Sequence, residues 1–286
     1  MTARKPTVIL SLSVLTLAAL AAPAPPGFAQ AMARTSATAG DPPPDDGTAV
    51  EDPEDTLADL TFVNGVRVVF SHSPSSQDYG LLQKGHGERN APVVPVPLDS
   101  MLDAYLAATP RNLPIPRLLL DEPRDDSVPP PDLQGRTVTA SPVVARELAV
   151  PASASRVSTA AQTPTCYSGY FWHPDWSDSA IPGRAPKSYY SADFGGKARY
   201  TNSFVYNCTP AGSPSYLYAR HRIYYRNAFG NYVKQFDSQV PPDDWEVKTK
   251  GSVMRYRMAA YSDGWNSDPN CGGGTCKYHR EGFFGS

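Results

Sequence analysis

Beyond Ala31 the chain has no apolar run that could cross a bilayer as a helix, which takes roughly 20 residues. No membrane span is therefore expected in the mature protein. It has no G-x-S-x-G elbow, no H-E-x-x-H pair and no glycine-rich loop opening a helix, so the commonest hydrolase, zinc-protease and phosphate-cradling signals are missing. The one glycine tract, in "CGGGTC", runs into a strand-like segment instead. Nothing implies a cofactor, a metal or a nucleic-acid partner, and whether the protein is an enzyme is left open. Cysteine is scarce at 4 in 286 residues, and neither cysteine nor tryptophan occurs before Cys166.

The chain opens with Arg4 and Lys5, the apolar run "VILSLSVLTLAALAA" and "AQA" at 29–31. That is the layout of a secretory signal peptide, expected over 1–31, giving a secreted protein, extracellular or periplasmic. Composition changes again near residue 165. Residues 32–165 carry 18 acidic and 10 basic side chains, and residues 166–286 carry 10 acidic and 14 basic. Of the 16 tyrosines, 14 lie in the second part, which reads as the part able to build an aromatic core.

Residues 32–165 read as a largely disordered, acidic, Pro- and Ala-rich linker or propeptide. "TSATAGDPPPDDGTAVEDPED" at 35–55 has too little apolar surface to offset the entropy of ordering its backbone. Two local signals stand inside the region. Asn64-Gly65 between apolar residues predicts a hairpin over Leu60–Phe70. Leu98, Met101, Leu102, Tyr105 and Leu106 fall at helical spacing, with Asp99 or Ser100 as cap and Pro110 as stop. Such pieces are marginal alone, so contact with the basic aromatic domain is expected.

Residues 166–286 read as one all-β domain, an antiparallel sandwich or barrel, because short aromatic and β-branched runs alternate with Gly, Pro, Asn and Asp. An oxidising compartment favours disulfides, and the tight "CGGGTC" loop pairs Cys271 with Cys276, leaving Cys166 for Cys208. Cys271, Cys276 and His279, with His173, are the competing metal reading, at a spacing unlike familiar zinc sites.

In "YLYARHRIYYRN", Tyr216–Asn227, strand alternation puts Leu217, Ala219, His221, Ile223 and Tyr225 on one face and Tyr218, Arg220, Arg222, Tyr224 and Arg226 on the other. The first set is expected to face the core and the second to form an outer face. A three-residue loop ending at Gly230 then aligns Tyr225 with Val233, Ile223 with Gln235 and His221 with Asp237. His221 is read as a core histidine bonded to Asp237, or alternatively as a His-Asp pair awaiting a nucleophile such as Ser203 or Ser238. If neighbouring strands share the sheet, Arg255, Arg257, Lys197, Arg199 and Thr201 extend the outer face. Guanidiniums bind carboxylate, sulfate and phosphate in pairs and tyrosine offers a stacking surface. Trp172 and Trp265, in loops rich in Asp and Asn, suit sugar stacking.

The function expected first is non-catalytic binding of a polysaccharide or other anionic surface ligand. A hydrolase made as a zymogen, with 32–165 as inhibitory propeptide, comes second. An envelope assembly protein comes third.

Overall fold

The computed structural model describes residues 38–39, 54–87, 92–95, 98, 100–124, 129–151, 176–180, 189–190, 200–207, 219–226, 229–251, 256–262 and 278–285. In chain order the elements are β1 (Thr38–Ala39), β2 (Asp55–Phe62), β3 (Arg67–His72), β4 (Tyr79–His86), α1 (Met101–Ala108), β5 (Ile115–Pro116), α2 (Arg117–Leu120), β6 (Val138–Thr139), β7 (Val143–Leu148), β8 (Trp176–Ala180), β9 (Tyr189–Tyr190), β10 (Tyr200–Asn207), β11 (Ala219–Arg226), β12 (Tyr232–Val240), β13 (Asp244–Gly251), β14 (Tyr256–Ser262) and β15 (Tyr278–Gly285). The described residues are thus mainly β. Strands run β7-β2-β3-β4-β13-β10-β15-β8 in an eight-stranded sheet and β1-β9-β14-β11-β12 in a five-stranded sheet, while β5 and β6 pair by themselves. Among the described residues neither large sheet closes on itself. Among the described residues no helix is long and apolar enough to cross a membrane.

The composition break at residue 165 is not a break between sheets. β4, from the acidic part, pairs antiparallel with β13 from the aromatic part, from Asp244 opposite His86 to Lys250 opposite Gly80. Among the described residues, those between 54 and 151, a region expected to be largely disordered, supply most of the apolar core. The hairpin and the helix need that partner, because neither could bury its apolar side alone. Of 35–55, Thr38–Ala39 pairs with β9 and Asp55 opens β2.

Local chemistry accounts for both early elements. At the β2–β3 turn Gly65 has φ +87°, and the Val66 amide donates to Asn64 Oδ1 at 3.2 Å, the left-handed geometry that Asn-Gly favours. α1 is capped by Ser100, whose Oγ accepts from the Asp103 amide. The carboxylate of Glu122 takes the amides of Met101 and Leu102 at 3.0 and 3.1 Å, which meets the orphan donors of the first turn and the positive end of the helix dipole. The Tyr200 hydroxyl donates to that same carboxylate.

Pairing sorts the eight-stranded sheet into two faces. Tyr206, Trp245, Val247, Phe204, Leu81, Phe70, Val68 and Leu60 follow one another as cross-strand partners or neighbours and are buried in one cluster with Met101, Leu102 and Tyr105 of α1. The opposite face carries Ser203, Glu246, Lys248, Lys250 and Lys84. β10 and β13 are buried on both faces.

Candidate functional site

Among the charge clusters of the described residues, three bear on the expected site, on the second face of the eight-stranded sheet and on β11–β12. The first surrounds His221, which is fully buried. Its Nε2 lies 2.6 Å from Ser203 Oγ on β10, and its Nδ1 lies 2.7 Å from Glu246 Oε1 on β13. A carboxylate on Nδ1 holds a proton there, and Nε2 shares the second hydrogen bond with the Ser203 hydroxyl. The second oxygen of Glu246 accepts from Ser238 at 2.8 Å and meets Lys84 Nζ at 2.7 Å. Burial pushes the Glu246 carboxyl up, but the hydrogen bond and charge of His221 and the charge of Lys84 outweigh it and hold it below the ordinary value.

The expected His221–Asp237 pair does not form. The loop register holds as far as Tyr224 opposite Lys234, then a bulge between Ile223 and Tyr224 leaves Gln235 without a register partner. Beyond it Ile223 faces Phe236, Arg222 faces Asp237 and His221 faces Ser238. One extra residue thus moves Asp237 to the other side of the sheet.

There Asp237 builds the second cluster. Arg220 donates to it through Nε at 2.5 Å and Nη2 at 2.9 Å, Arg222 through Nε at 3.0 Å, and Lys234 Nζ lies 3.2 Å away. Burial raises the carboxyl, and these cations more than reverse that. The outer face is also less open than expected: Arg222 is 9% exposed and Tyr224 4%, with Arg222 Nη1 donating to the Tyr224 hydroxyl at 3.2 Å. A guanidinium can be buried when it is paired, and Asp237 supplies the pair. Arg226 is exposed, and its guanidinium lies 5.9 Å from the Tyr232 ring centre.

Of the basic residues expected to extend this face, Arg257 is the register partner of Tyr224. Thr201 does not extend it, since β10 belongs to the eight-stranded sheet. Tyr218, Arg255, Lys197, Arg199, Trp172, Trp265, His173 and all four cysteines, with the pairings Cys166–Cys208 and Cys271–Cys276, lie outside the described residues.

The third cluster was not foreseen. Glu54 stands between two buried lysines of β13, with Lys248 Nζ 2.8 Å from Oε2, Lys250 Nζ bonded to Oε1, and the Ser71 hydroxyl donating at 2.7 Å. Burial raises the Glu54 carboxyl, yet Lys248 and Lys250 pull it down to about 2. Lys248 is pushed down by burial, which the charge of Glu54 only partly opposes. Its ammonium sits 5.1 Å from the ring centre of Phe236 on β12, a cation–π contact. The sequence signal for both unforeseen groups was the alternation in "WEVKTK", which puts Glu246, Lys248 and Lys250 on one face and Trp245, Val247 and Thr249 on the other.

Among the described residues no three His, Cys, Asp or Glu side chains gather as a metal site needs. Compared with protein-family models, curated proteins and solved structures, the chain matches none.

Proposed function

We propose that this is a secreted, non-catalytic β-protein that binds a polysaccharide or other anionic surface ligand through β11 and β12. The observation that carries the reading is the convergence of Arg220, Arg222 and Lys234 on Asp237, with Arg226 exposed farther along β11. A carboxylate that holds guanidinium planes in place lowers the entropy lost when they take a ligand's sulfate or carboxylate. We also infer a β-sandwich, in which the bonds of His221 to Ser203 and Glu246 join two layers. Export rests on the leader at 1–31.

The test is retention on immobilised heparin and on polygalacturonate across a salt series. Arg226→Ala with Lys234→Ala, both changes away from the apolar core, is expected to weaken binding about tenfold, equivalent to roughly 1.4 kcal/mol, and salt is expected to weaken it further. Wild-type and variant proteins eluting together would overturn the reading.

The zymogen hydrolase reading has one specific observation in its favour, the Ser203–His221–Glu246 chain, in which a hydroxyl, an imidazole and an orienting carboxylate stand in the order that nucleophilic catalysis uses. Glu246 takes the place expected for Asp237. Ser203 lies mid-strand and is fully buried, so β11 must separate from β10 before a substrate reaches it. Ester or peptide hydrolysis that appears after cleavage between residues 150 and 165, and disappears in both Ser203→Ala and His221→Ala, would establish this reading over the first.

A further inference from the structure

A cavity away from His221 and Asp237 lies on the α-helical side of the eight-stranded sheet. It measures about 540 Å³ and is walled by the start of β2, by α2 with its flanks, and by the turn at 140–142. That volume is within the roughly 300–1,000 Å³ of small-molecule sites. Leu57, Leu118 and Pro142 give it apolar surface, while Asp55, Asp121 and Arg117 bring charge to it, two carboxylates against one guanidinium.

A buried imidazole adjoins this wall. His72 is the register partner of Asp55 on one side and of Tyr79 on the other, so the three form a row across β2, β3 and β4. The His72 ring packs on Tyr79, centroids 4.9 Å apart, and the Tyr79 hydroxyl donates to the Leu118 carbonyl at 2.8 Å. His72 is 6% exposed, and its Nδ1 is buried without a hydrogen-bond partner. A buried ring nitrogen left in that state costs free energy unless something at the site meets it. The acidic field at this end of the sheet also reaches the Tyr79 hydroxyl: burial first, then the charges of Asp121 and Glu122, push it up to about 12.

We propose that this cavity binds a small protonated amine carried on an apolar body, with Asp55 and Asp121 holding the ammonium and Leu57, Leu118 and Pro142 covering the body. An anion would meet two carboxylates against one guanidinium, and a neutral molecule would leave the second carboxylate's charge unmatched. The site is separate from the anionic-ligand face, so either proposal can fail without the other.

The experiment titrates the full chain with phenethylamine, 2-phenylethanol and phenylacetate, by calorimetry and by NMR of the histidine Cε1–H signals. Phenethylamine is expected to bind saturably and to shift the His72 signal, with the alcohol at least tenfold weaker and phenylacetate not binding. Asp55→Asn with Asp121→Asn is expected to bring the amine down to the level of the alcohol. Leu118→Trp fills the cavity from an exposed position and is expected to abolish binding of both. No saturable amine binding, equal binding of amine and alcohol, or binding unchanged in both variants would overturn the proposal.

Discussion

The two faces of the eight-stranded sheet are covered in opposite ways. On one, Phe70 meets Tyr105 of α1 edge-on with centroids 5.5 Å apart, and the surrounding partners are almost all apolar. On the other, β10 and β13 meet β11 and β12 through Ser203, His221, Glu246 and Ser238 and through Lys248 over the Phe236 ring, while Glu54 pairs Lys248 and Lys250 on the same face. Apolar packing stabilises in proportion to the area removed from water and tolerates many pairings. Buried ions return little net stability, but only one alignment satisfies them. The helical face thus supplies most of the stability, and the ionic face selects how β11 and β12 lie on β10 and β13.

The sharpest way to break that contrast is to damage each side in turn. Phe70→Ala on the apolar face is expected to cost about 3–5 kcal/mol in urea unfolding, the transfer term plus a cavity. Glu54→Gln on the ionic face is expected to cost nearly as much, about 3 kcal/mol, because it leaves Lys248 and Lys250 buried without their carboxylate. Replacing Glu54, Lys248 and Lys250 together by Met should restore stability to within about 1 kcal/mol of the wild type, since the desolvation of all three ions is then removed. An equal loss in the single and triple variants would refute this division of labour.

The same ion group gives the contrast a pH dependence. The folded-state value of Glu54 is depressed from 4.5 to about 2, so its contribution is complete above the unfolded value and is lost as pH falls from about 4.5 through 2. Linkage puts that loss at about 3 kcal/mol. Glu246 and Asp237 are depressed in the same direction and add to the acid sensitivity. In Glu54→Gln the stability curve between pH 5 and 2 should be visibly flatter, a difference that chemical unfolding at a series of pH values measures directly.

What could be read ahead of the structure was local. Asn64-Gly65 and Ser100 announce a turn and a cap through their own backbone chemistry, and both are found. The strand that joins the two parts of the chain, β4, went unread because "YGLLQKGH" has the glycines and polar residues of a loop. Each has a tertiary reason. Gln83 is buried and exchanges hydrogen bonds with the backbone of Val94 at 2.8 and 2.9 Å, Lys84 reaches Glu246, and Gly85 lies under Trp245. The bulge at Gln235 has no signature in the alternation of residues, and it hid Glu246 behind Asp237 as the partner of His221. A Cβ at residue 85 would stand 2.2 Å from Trp245 Cζ2, so Gly85→Ala is expected to cost about 1–3 kcal/mol by overpacking. A second change, Trp245→Phe, should recover part of it, and a neutral Gly85→Ala would mean that β4 is not held against β13 by this contact.

The smallest effect on stability should come from Lys234, and it bears most directly on function. Its ammonium is one of three cations on Asp237 and the longest of those contacts at 3.2 Å, while Arg220 and Arg222 already supply shorter bonds. Lys234→Ala should therefore change unfolding free energy by less than about 1 kcal/mol. Binding to an anionic polymer depends on the total positive charge and not on the Asp237 pair alone, so the same variant should still lower retention on heparin and reduce the salt dependence. Loss of stability without loss of retention would make the cluster a structural brace like the ionic layer behind it. Loss of retention with stability intact would place β11 and β12 in two roles at once, fastened to the core through His221 and facing a ligand through the arginines on the reverse side.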